Sequence, residues 1–314
     1  MKHDLRNVTL KQLRVLAAVV RTGSVTAAAQ RLNVSPPAVT LQMQLLQDQA
    51  GLPLVERNAA HTAATDAGAE ILRAVEQIET ILADCSAALA AVAGSKRGIV
   101  SVGVISTAKY FAPRALGAFA RAHPGIELKM TIGNRAEMLE GLQRYEIDIA
   151  VMGRPPDGLD VDTTVIGDHP HVIIAPPEHQ LANARQISPS RLADEIFLVR
   201  EPGSGTRGLM ERFFADAGIQ PRIGMQIGSN ETIKQAVIAG LGIAFISGHT
   251  IDSALTTKSL AILQVAGLPI VRQWCVVHIR QRRLMPAVNA LRGFLVAQGG
   301  LYLPDIKDYL ASPD

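Results

Sequence analysis

The chain has 314 residues, of which 48% are hydrophobic and 19% are charged, which is enough material for two domains joined by a connector. This apolar share excludes a mostly disordered chain. The formal charge of +3 is concentrated at one end: residues 1–66 hold seven basic and four acidic side chains, whereas residues 67–314 hold 24 of each sign. We interpret the excess as a modest electrostatic footprint for an anionic partner.

Cysteines and apolar runs narrow the class of protein further. Cys85 and Cys275 lie 190 positions apart, which fits neither a disulfide framework nor a metal-binding knuckle, so we expect two reduced packing residues. The longest uncharged apolar stretch, residues 237–247, is far shorter than the roughly 20 residues that span a bilayer. Scattered basic residues near the N-terminus argue against a signal peptide. We therefore expect a soluble, cytoplasmic protein with no membrane partner.

The first fifty residues show the pattern of three short helices. An apolar stripe with helical spacing lies between Thr9, an expected cap, and Gly23, an expected stop. A second helix over 25–32 follows Ser24, and Ser35 is expected to cap a third helix that begins with two prolines. The polar face of that third helix comprises Pro36, Thr40, Gln44 and Gln47. This order predicts a helix-turn-helix whose last helix enters a DNA major groove; a small bundle with no nucleic-acid role is the alternative.

Four short stretches of the N-terminal segment carry a family resemblance. They are Ser24–Ser35 (SVTAAAQRLNVS), 37–39 (PAV), 51–57 (GLPLVER) and 65–68 (TDAG). Together they resemble the LysR-type transcriptional regulators. The resemblance implies a winged helix-turn-helix over residues 1–64, with a β-wing at 51–64, and a long linker helix that starts at Thr65.

The third helix departs from the pattern of that family. Pro36 stands where the family usually carries Gln, and the helix contains no Lys or Arg. Because phosphate neutralisation contributes affinity through counterion release, we expect weak nonspecific DNA binding. Hydroxyl and amide groups would then carry more of the contact, and Gln42 or Gln44 is suited to adenine edges, although Gln42 is equally readable as a partly buried helix residue. The predicted DNA-binding residues are Ser24, Ser35, Pro37, Thr40, Gln42, Gln44 and Arg57.

The connector has the spacing of a coiled-coil seam. Apolar residues at 71, 75, 78, 82, 85, 89 and 92 are separated by alternating steps of four and three. A helix over 65–93 would be roughly 42 Å long at 1.5 Å per residue. Such a stripe favours a second copy of the chain as partner, hence a homodimer on two operator half-sites; a lone helix against its own domain is the alternative. Residues 94–98 are interpreted as a hinge.

The remaining two hundred residues alternate strands and helices. Strands are predicted at 99–105, 126–132, 147–152, 171–175, 197–200, 223–227, 243–246 and 272–279, with helices over 135–145, 206–217, 230–239 and 284–297 and another ending near Ala122. This is an α/β layered domain over 99–300. The chain as a whole is then an α+β multidomain protein. An internal echo between 132–150 and 227–244 favours two lobes, lobe I at 99–167 with 268–300 and lobe II at 168–267, followed by a tail at 301–314.

Ligands of such folds bind beyond the carboxyl ends of the strands, at helix N-termini. The residues predicted to bind an effector there are Ser106, Thr107, Ala108, Asn134, Arg135, Arg154, Ser204, Gly205, Thr206, Arg207, Asn230 and Glu231. We expect Thr107 and Arg207 to hold an anionic group, with Arg207 as a bidentate clamp. Capping or turn formation is the alternative for each polar residue, and the favoured single role for Asn230.

One motif suggests a different class of protein. Residues 203–208 read GSGTRG, which matches a dinucleotide fingerprint literally, and Glu231 follows about twenty residues later. A nicotinamide-dependent oxidoreductase is therefore a remote alternative. No catalytic acid–base set accompanies the motif, and His169, His171 and His179 fall in a proline-rich stretch interpreted as surface without metal-ligand spacing. We expect no enzyme activity, no catalytic residue, no metal and no tightly held cofactor.

Five further stretches extend the resemblance over nearly the whole chain. They are 106–114 (STAKYFAPR), 152–156 (MGRPP), 200–207 (REPGSGTR), 210–214 (MERFF) and 229–237 (SNETIKQAV). These look like the branch of the LysR-type family that regulates Calvin-cycle carbon dioxide fixation operons. The resemblance implies a periplasmic-binding-protein-like effector domain, a homotetramer, contact with RNA polymerase, and transcription activation by a phosphorylated sugar or NADPH. Arg154 replaces a usually uncharged residue, which bears on ligand preference.

The resulting hypothesis is a DNA-binding transcription activator that senses an anionic metabolite. The ligand would bind one closure state of the two lobes more tightly and thereby alter the bend in DNA. A LysR-type regulator of another metabolic operon, and an adaptor protein that never touches DNA, are the alternatives within reach of the same residues.

Overall fold

The computed structural model describes residues 5–57, 61–92, 98–153, 155 and 158–306. The chain divides into two compact units, Met1–Ser86 and Ala87–Asp314. Several predicted features fall outside the described residues: the hinge at 94–98 except for Gly98, Arg154, positions 58–60 of the wing, and positions 307–314 of the tail.

The first unit opens with three helices, α1 (Leu10–Thr22), α2 (Val25–Leu32) and α3 (Pro36–Ala50). Thr9 and Gln12 form a reciprocal capping box at the start of α1, and Gly23 ends it with φ of 68°. The Ser24 hydroxyl accepts from the backbone N–H of Ala27, as expected of a cap. The prediction that Ser35 caps α3 was wrong for its side chain, which makes no cap hydrogen bond; only its carbonyl accepts from the helix. The predicted helix-turn-helix is confirmed.

A small sheet and a long helix complete the first unit. Strand β1 (Val55–Arg57) pairs antiparallel with β2 (Thr62–Ala64) at the predicted wing. The core beneath them is apolar and closely packed, with Leu16, Val39, Leu46 and Leu54 all fully buried.

Helix α4 (Asp66–Val92) changes character along its length. Its first half packs on the core of the first unit, where Val75 is buried, and Arg14 of α1 donates to Glu79 at 2.5 Å. Its second half leaves predicted seam residues uncovered, with Leu82 at 42% and Leu89 at 65% exposure. Cys85 is also exposed, so its assignment as a packing residue was wrong within a single chain, whereas Cys275 is buried as expected.

The second unit is built on a seven-stranded mixed sheet and a separate pair of parallel strands. The sheet runs β10-β6-β11-β5-β3-β4, and β9 joins it by pairing with β6. Its strands are β3 (Gly98–Ile105), β4 (Ile126–Gly133), β5 (Ile149–Gly153), β6 (Val161–Ala175), β9 (Ala244–Ser247), β10 (Ala261–Leu263) and β11 (Ile270–Ile279). The separate pair is β7 (Ile196–Val199) with β8 (Arg222–Gln226). The helices are α5 (Ala112–Ala122), α6 (Arg135–Gln143), α7 (Gly205–Asp216), α8 (Asn230–Ile238), α9 (Asp252–Thr256) and α10 (Pro286–Gln298).

Two long antiparallel strands run through the second unit. Strand β6 has 15 residues, ten more than predicted, and pairs with β11 along most of its length. The predicted strand began only at His171, after Pro170. In the structure Pro170 lies inside the strand, opposite Val271. A proline is tolerated there because pairing with β9 on the other side begins only at His171. The interpretation of His169 and His171 as surface residues was therefore wrong, since both are 3% exposed.

The second unit has two main apolar cores, one built from residues 100–166 and 274–295 and the other from residues 173–265. Trp274, Phe111 and Phe119 are fully buried in one, and Phe197 and Phe214 in the other. The predicted lobe boundary at 167/168 falls inside β6, at a register shift where Trp274 faces Gly167 and Cys275 faces Val165. No helix among the described residues is long and apolar enough to cross a membrane.

The segment after α10, up to Ile306, lies back on the sheet. After α10, a 3-10 turn at Gly299–Tyr302 brings the carbonyl of Tyr302 within 2.8 Å of the donating Nη2 of Arg114. Ile306 is 2% exposed and packs so closely on Gly248 that a Cβ at this position would displace the end of the Ile306 side chain. Leu301, in contrast, is 81% exposed.

Candidate functional site

The second unit contains a cavity at the carboxyl ends of β3 and β4 and the first turns of α6 and α7. It encloses about 570 Å³ of space, including its open mouth. Its walls are formed by Ile105, Ser106, Thr107, Asn134, Arg135, Gly153, His169, His171, Arg200, Ser204, Gly205, Thr206, Leu209, Arg212 and Arg272.

Seven of the twelve residues predicted to bind an effector line this cavity. They are Ser106, Thr107, Asn134, Arg135, Ser204, Gly205 and Thr206. Ala108 is buried next to them without lining the cavity, and Arg154 lies outside the described residues. Three others do not line the cavity and bond to other side chains of the protein: Arg207, Asn230 and Glu231.

A buried arginine that the sequence analysis did not select organises the cavity floor. Arg200 is 3% exposed; its Nη1 donates to Asn230 Oδ1 at 2.8 Å and its Nη2 to Ser106 Oγ at 3.0 Å. Nε and Nη2 also donate to the carboxylate of Glu201, each at 2.7 Å. Arg200 therefore fixes Ser106, which follows β3, against the start of α8. Ser229 caps α8, so Asn230 is free of the capping role favoured for it and bonds Arg200 instead.

The arginine that was predicted as a clamp lies away from the cavity lining. Arg207 Nε donates to Glu211, one helical turn on, at 2.8 Å, and Nη1 donates to Gln226 Oε1 at 2.7 Å and to the carbonyl of Arg200 at 3.1 Å. The structure thus gives no place for Arg207 as a clamp inside the cavity.

Glu231 is likewise engaged outside the cavity. It contacts Lys234 Nζ at 2.7 Å and accepts from the Tyr110 hydroxyl at 3.3 Å. The hydrogen bond from Lys234 lowers the pKa of Glu231, while burial together with the Glu231 charge raises the pKa of Tyr110.

Cations dominate the charge of the cavity wall. Arg135, Arg212 and Arg272 line it together, and none of the lining residues that the structure describes is acidic. Burial, followed by the nearby charges of Arg212 and Arg272, lowers the pKa of Arg135. Three mutually repelling guanidinium groups around one space favour an anionic occupant.

The first turn of α7 adds backbone donors to this wall. Ser204 occupies the N-cap position but makes no side-chain cap hydrogen bond, and Ser204, Gly205 and Thr206 all line the cavity. A helix N-terminus presents unpaired N–H groups and a positive dipole end, which suit phosphate or carboxylate oxygens.

Two buried histidines form the remaining polar wall. The Trp274 ring stacks on His169 at a centroid distance of 3.7 Å, and Trp274 Nε1 donates to His249 Nδ1 at 2.9 Å. Burial lowers the pKa of His171 and of His249 to about 4 and also depresses that of His169, so all three rings are neutral at pH 7. An i, i+2 pair in a strand was the available sequence signal for a shared face, and the intervening proline obscured it.

The exposed face of α3 is the candidate DNA-contacting surface of the first unit. Ser35, Pro37, Thr40 and Gln44 are exposed, and the Thr40 hydroxyl donates to the carbonyl of Pro36 at 3.1 Å. Gln42 is half-buried, in keeping with the alternative stated for it.

Other residues of the predicted DNA-contacting surface lie in or support the elements of the first unit. Ser24 is half-buried at the start of α2, and the backbone of Arg57 lies in β1. Gln47 does not belong to the free polar face, because its Oε1 accepts from the backbone N–H of Leu54 at 2.9 Å.

Two family descriptions together cover most of the chain. Residues 10–69 match "Bacterial regulatory helix-turn-helix protein, lysR family" and residues 93–300 match "LysR substrate binding domain". The chain belongs to the LysR family. It is a transcriptional regulator and not an enzyme, so the glycines at 203–208, which lie at the turn into α7, do not indicate an oxidoreductase.

Individual relatives of this LysR-family chain align over nearly its full length. The "HTH-type transcriptional regulator CbbR" of Xanthobacter flavus is 50% identical over 95% of this chain and 90% of the relative. The "RuBisCO operon transcriptional regulator" of Allochromatium vinosum is 43% identical over 93% of this chain and 97% of the relative.

Solved structures share the fold. The regulatory domain of CcmR from Synechocystis PCC6803, in complex with 2-PG, is 36% identical, covers 64% of this chain and 97% of that chain, and superposes with a TM-score of 0.62. Full-length CbnR complexed with its target DNA is 23% identical, covers 91% of this chain and 98% of that chain, and gives a TM-score of 0.65.

Proposed function

We propose that this LysR-family regulator activates carbon dioxide fixation genes and that a small phosphorylated metabolite in the cavity sets its activity. Relatives that are 50% and 43% identical carry the names CbbR and RuBisCO operon regulator, which supports this choice of target genes. The 36% identical CcmR domain is complexed with 2-PG, which supports a phosphorylated ligand.

The observation that carries the proposal is a cationic wall with no acidic residue in its described lining. Arg135, Arg212 and Arg272 converge on a space of about 570 Å³ whose described lining contains no carboxylate. A phosphate monoester brings two negative charges and three acceptor oxygens, which neutralise the repulsion and offer acceptors to guanidinium groups.

The surrounding groups suggest how such a ligand is held. The guanidinium groups supply charge, while the hydroxyls of Ser106, Thr107, Ser204 and Thr206 and the N-terminus of α7 supply directed donors. Arg200 acts as a positioning residue, since its donors already hold Ser106 and Asn230.

The ligand acts on transcription through a difference in affinity. We propose that it binds one arrangement of the second unit more tightly than another, and it shifts the population only by that difference. The first unit binds operator DNA through α3 as part of a homodimer or homotetramer, and the activated assembly recruits RNA polymerase.

Titration calorimetry of the full-length protein with 2-phosphoglycolate tests the ligand, with NADPH and a sugar phosphate as further arms. We expect Arg272→Gln to weaken binding of the phosphorylated ligand at least tenfold, because it removes one cavity charge. The matched control is Arg207→Gln, whose guanidinium bonds Glu211 and Gln226, and it should change the affinity less than twofold. The reverse ranking of the two variants would refute the site.

Gel shifts on DNA upstream of carbon dioxide fixation genes test the target. Specific retardation by wild-type protein and by both variants is expected, since the substitutions lie in the second unit. Retardation confined to the promoter of another metabolic operon would replace the proposed target, and the absence of DNA binding on every fragment would exclude operator binding.

A further inference from the structure

We propose that His169 and His171 are ligand-contacting residues of the cavity and that they take up protons when a dianionic phosphate monoester binds. This inference rests on the proposed function, because it specifies the ligand class that the same cavity selects. It assigns to the two rings the task of separating dianions from singly charged carboxylates of similar size.

The backbone of β6 places both rings on the cavity side. His169 and His171 are two residues apart in one strand, so their side chains share a face of the sheet. Their ring centroids are 4.2 Å apart with an interplanar angle of 42°, and both line the cavity. Across the strand pair, His169 faces Arg272 in the β6–β11 register, so one of the cavity cations is its direct neighbour.

Aromatic and hydroxyl groups hold the rings from behind. Trp274 stacks on His169 at an interplanar angle of 15°, and Nε2 of His169 lies 2.9 Å from Ser247 Oγ. Phe245 stacks on His171 at 5.8 Å. With these contacts on the interior side, the cavity is the open side from which a new charge reaches the rings.

The partners of His171 suit a protonated ring. Its Nδ1 lies 3.1 Å from the carbonyl of His169, so this nitrogen carries the hydrogen and donates. The carbonyls of His169 and Ile270 both act to raise the pKa of His171, yet burial outweighs them and holds that pKa near 4. The ring is therefore equipped with acceptors for a charge that it does not carry in the unliganded protein.

Every charged residue in the described lining of the cavity is an arginine, and Arg200 among them is paired with Glu201. Arg272 comes from β11, Arg135 from α6 and Arg212 from α7. The acidic groups in this region, Asp168 of β6 and Asp305 near the chain end, act on His249 behind Trp274 and raise its pKa against the effect of burial. Within the described lining, negative charge is thus the missing component.

A bound dianion supplies that component. One opposing charge within roughly 4–6 Å raises a histidine pKa by about 1 to 3 units, and a phosphate dianion carries two. The pKa of His171, which is near 4 without ligand, then rises far enough for the ring to be part-protonated at pH 7 and mostly protonated at pH 6. A singly charged carboxylate raises the pKa less, so the coupling favours phosphate monoesters.

Calorimetry in paired buffers measures the proton uptake directly. Full-length protein is titrated at pH 7 with 2-phosphoglycolate in two buffers that differ in ionisation enthalpy. We expect net uptake of about 0.3 to 1 proton per bound ligand. The ligand itself works in the opposite direction, because its second pKa near 6 leaves a minor protonated fraction that binding as a dianion releases.

Two histidine variants assign the proton. His169→Gln and His171→Gln should each reduce the uptake by at least half and weaken 2-phosphoglycolate binding more at pH 6 than at pH 8. His179→Gln is the matched control: His179 contacts Glu195 at 3.3 Å and does not line the cavity, so uptake should match wild type.

The single tryptophan gives a second readout that needs no variant. An imidazolium stacked on an indole quenches its emission, so at pH 7 addition of 2-phosphoglycolate should lower Trp274 fluorescence. Acid alone should produce the same drop in unliganded protein only well below pH 6.5, because burial lowers the pKa of His169.

The outcomes separate this inference from the proposed function. Absence of binding by 2-phosphoglycolate and by the other phosphorylated arms would overturn the proposed function and the inference with it. Binding with no proton uptake, or with uptake unchanged in both cavity variants, would overturn the inference alone. If either variant does not unfold cooperatively, the wild-type buffer pair and the fluorescence titration decide.

Discussion

His169, His171 and His249 lie in the interior of the second unit, and burial is the main reason why the pKa of each is lowered. Between pH 6.5 and about 4, the unfolded chain binds protons at these positions and the folded chain does not. Stability therefore rises with pH in this window and is lost as the pH falls through it.

The expected size of the effect follows from the two values near 4. Each of His171 and His249 should contribute a loss of about 1–2 kcal/mol in the free energy of unfolding between pH 6.5 and 5. Urea denaturation of the wild type and of His249→Gln at both pH values measures it. The variant should lose about 1–2 kcal/mol less than the wild type over this interval; an identical loss in both proteins would contradict the assignment.

At the residue scale, the sequence predicted positions better than it predicted side-chain directions. Ser106, Asn134 and Ser204 were placed correctly in the cavity wall because they follow strand ends, and strand ends of this fold converge. Arg207 was misdirected because Glu211, four residues on in the helix, and Gln226, from a neighbouring strand, compete for a long flexible side chain. Arg200 was missed because its role depends on hydrogen bonds to Asn230 and Ser106, which lie 30 and 94 residues away in the sequence.

At the element scale, α3 carries one exposed glutamine that we expect to contact DNA and another that supports the fold. Gln44 is exposed, whereas Gln47 accepts from the backbone of Leu54, which is fully buried. We expect Gln44→Ala to weaken specific operator binding by about 1–3 kcal/mol, the discrimination that a well-placed amide gives. Fluorescence anisotropy with labelled operator DNA at several salt concentrations measures it.

Gln47→Ala is the internal comparison for α3. It should lower the free energy of unfolding by about 1–3 kcal/mol, because a buried N–H loses its acceptor, and leave operator affinity near wild type. Neither glutamine is charged, so the salt slope should be the same in all three proteins. Full operator affinity in Gln44→Ala would remove that side chain from the contact set.

The exposed second half of α4 is the element through which we expect two copies to pair. Leu82 lies in the predicted seam and is 42% exposed in the single chain. Leu82→Glu should convert the wild-type oligomer to smaller species, because it places a charge in an apolar contact. Sedimentation velocity measures the change. Thr80→Glu, on the opposite side of the helix, should leave the oligomer intact; equal effects of both substitutions would argue against a seam.

Most elements were predictable because their patterns are local. The helices and most strands begin and end within a few residues of the predicted bounds, since caps, prolines and alternating apolar residues are read directly from the sequence. Strand β6 was the main failure, because only its partners β9 and β11 reveal that Pro170 leaves no ladder bond unmet. Long-range pairing decides such cases, and a single sequence does not contain it.

At the scale of the whole molecule, we expect the segment after α10 to contribute to the stability of the second unit. Ile306 is 2% exposed against Gly248, so Ile306→Ala should lower the free energy of unfolding by about 2–5 kcal/mol. Leu301→Ala, at a residue 81% exposed, should change it by less than about 0.5 kcal/mol. Thermal and urea unfolding of both variants measure the difference; similar values would mean that the chain end is not part of the cooperative unit.

The register shift beside Ile166 has a mechanical consequence. Strands β6 and β11 pair with each other on both sides of this shift. At the shift, β6 advances by two residues, from Val165 to Gly167, where β11 advances by one, between Trp274 and Cys275. Any rotation of predicted lobe I against predicted lobe II must then twist this two-stranded ribbon at its bulge. We therefore expect the stiffness of this ribbon to limit how far the proposed ligand rotates one predicted lobe against the other.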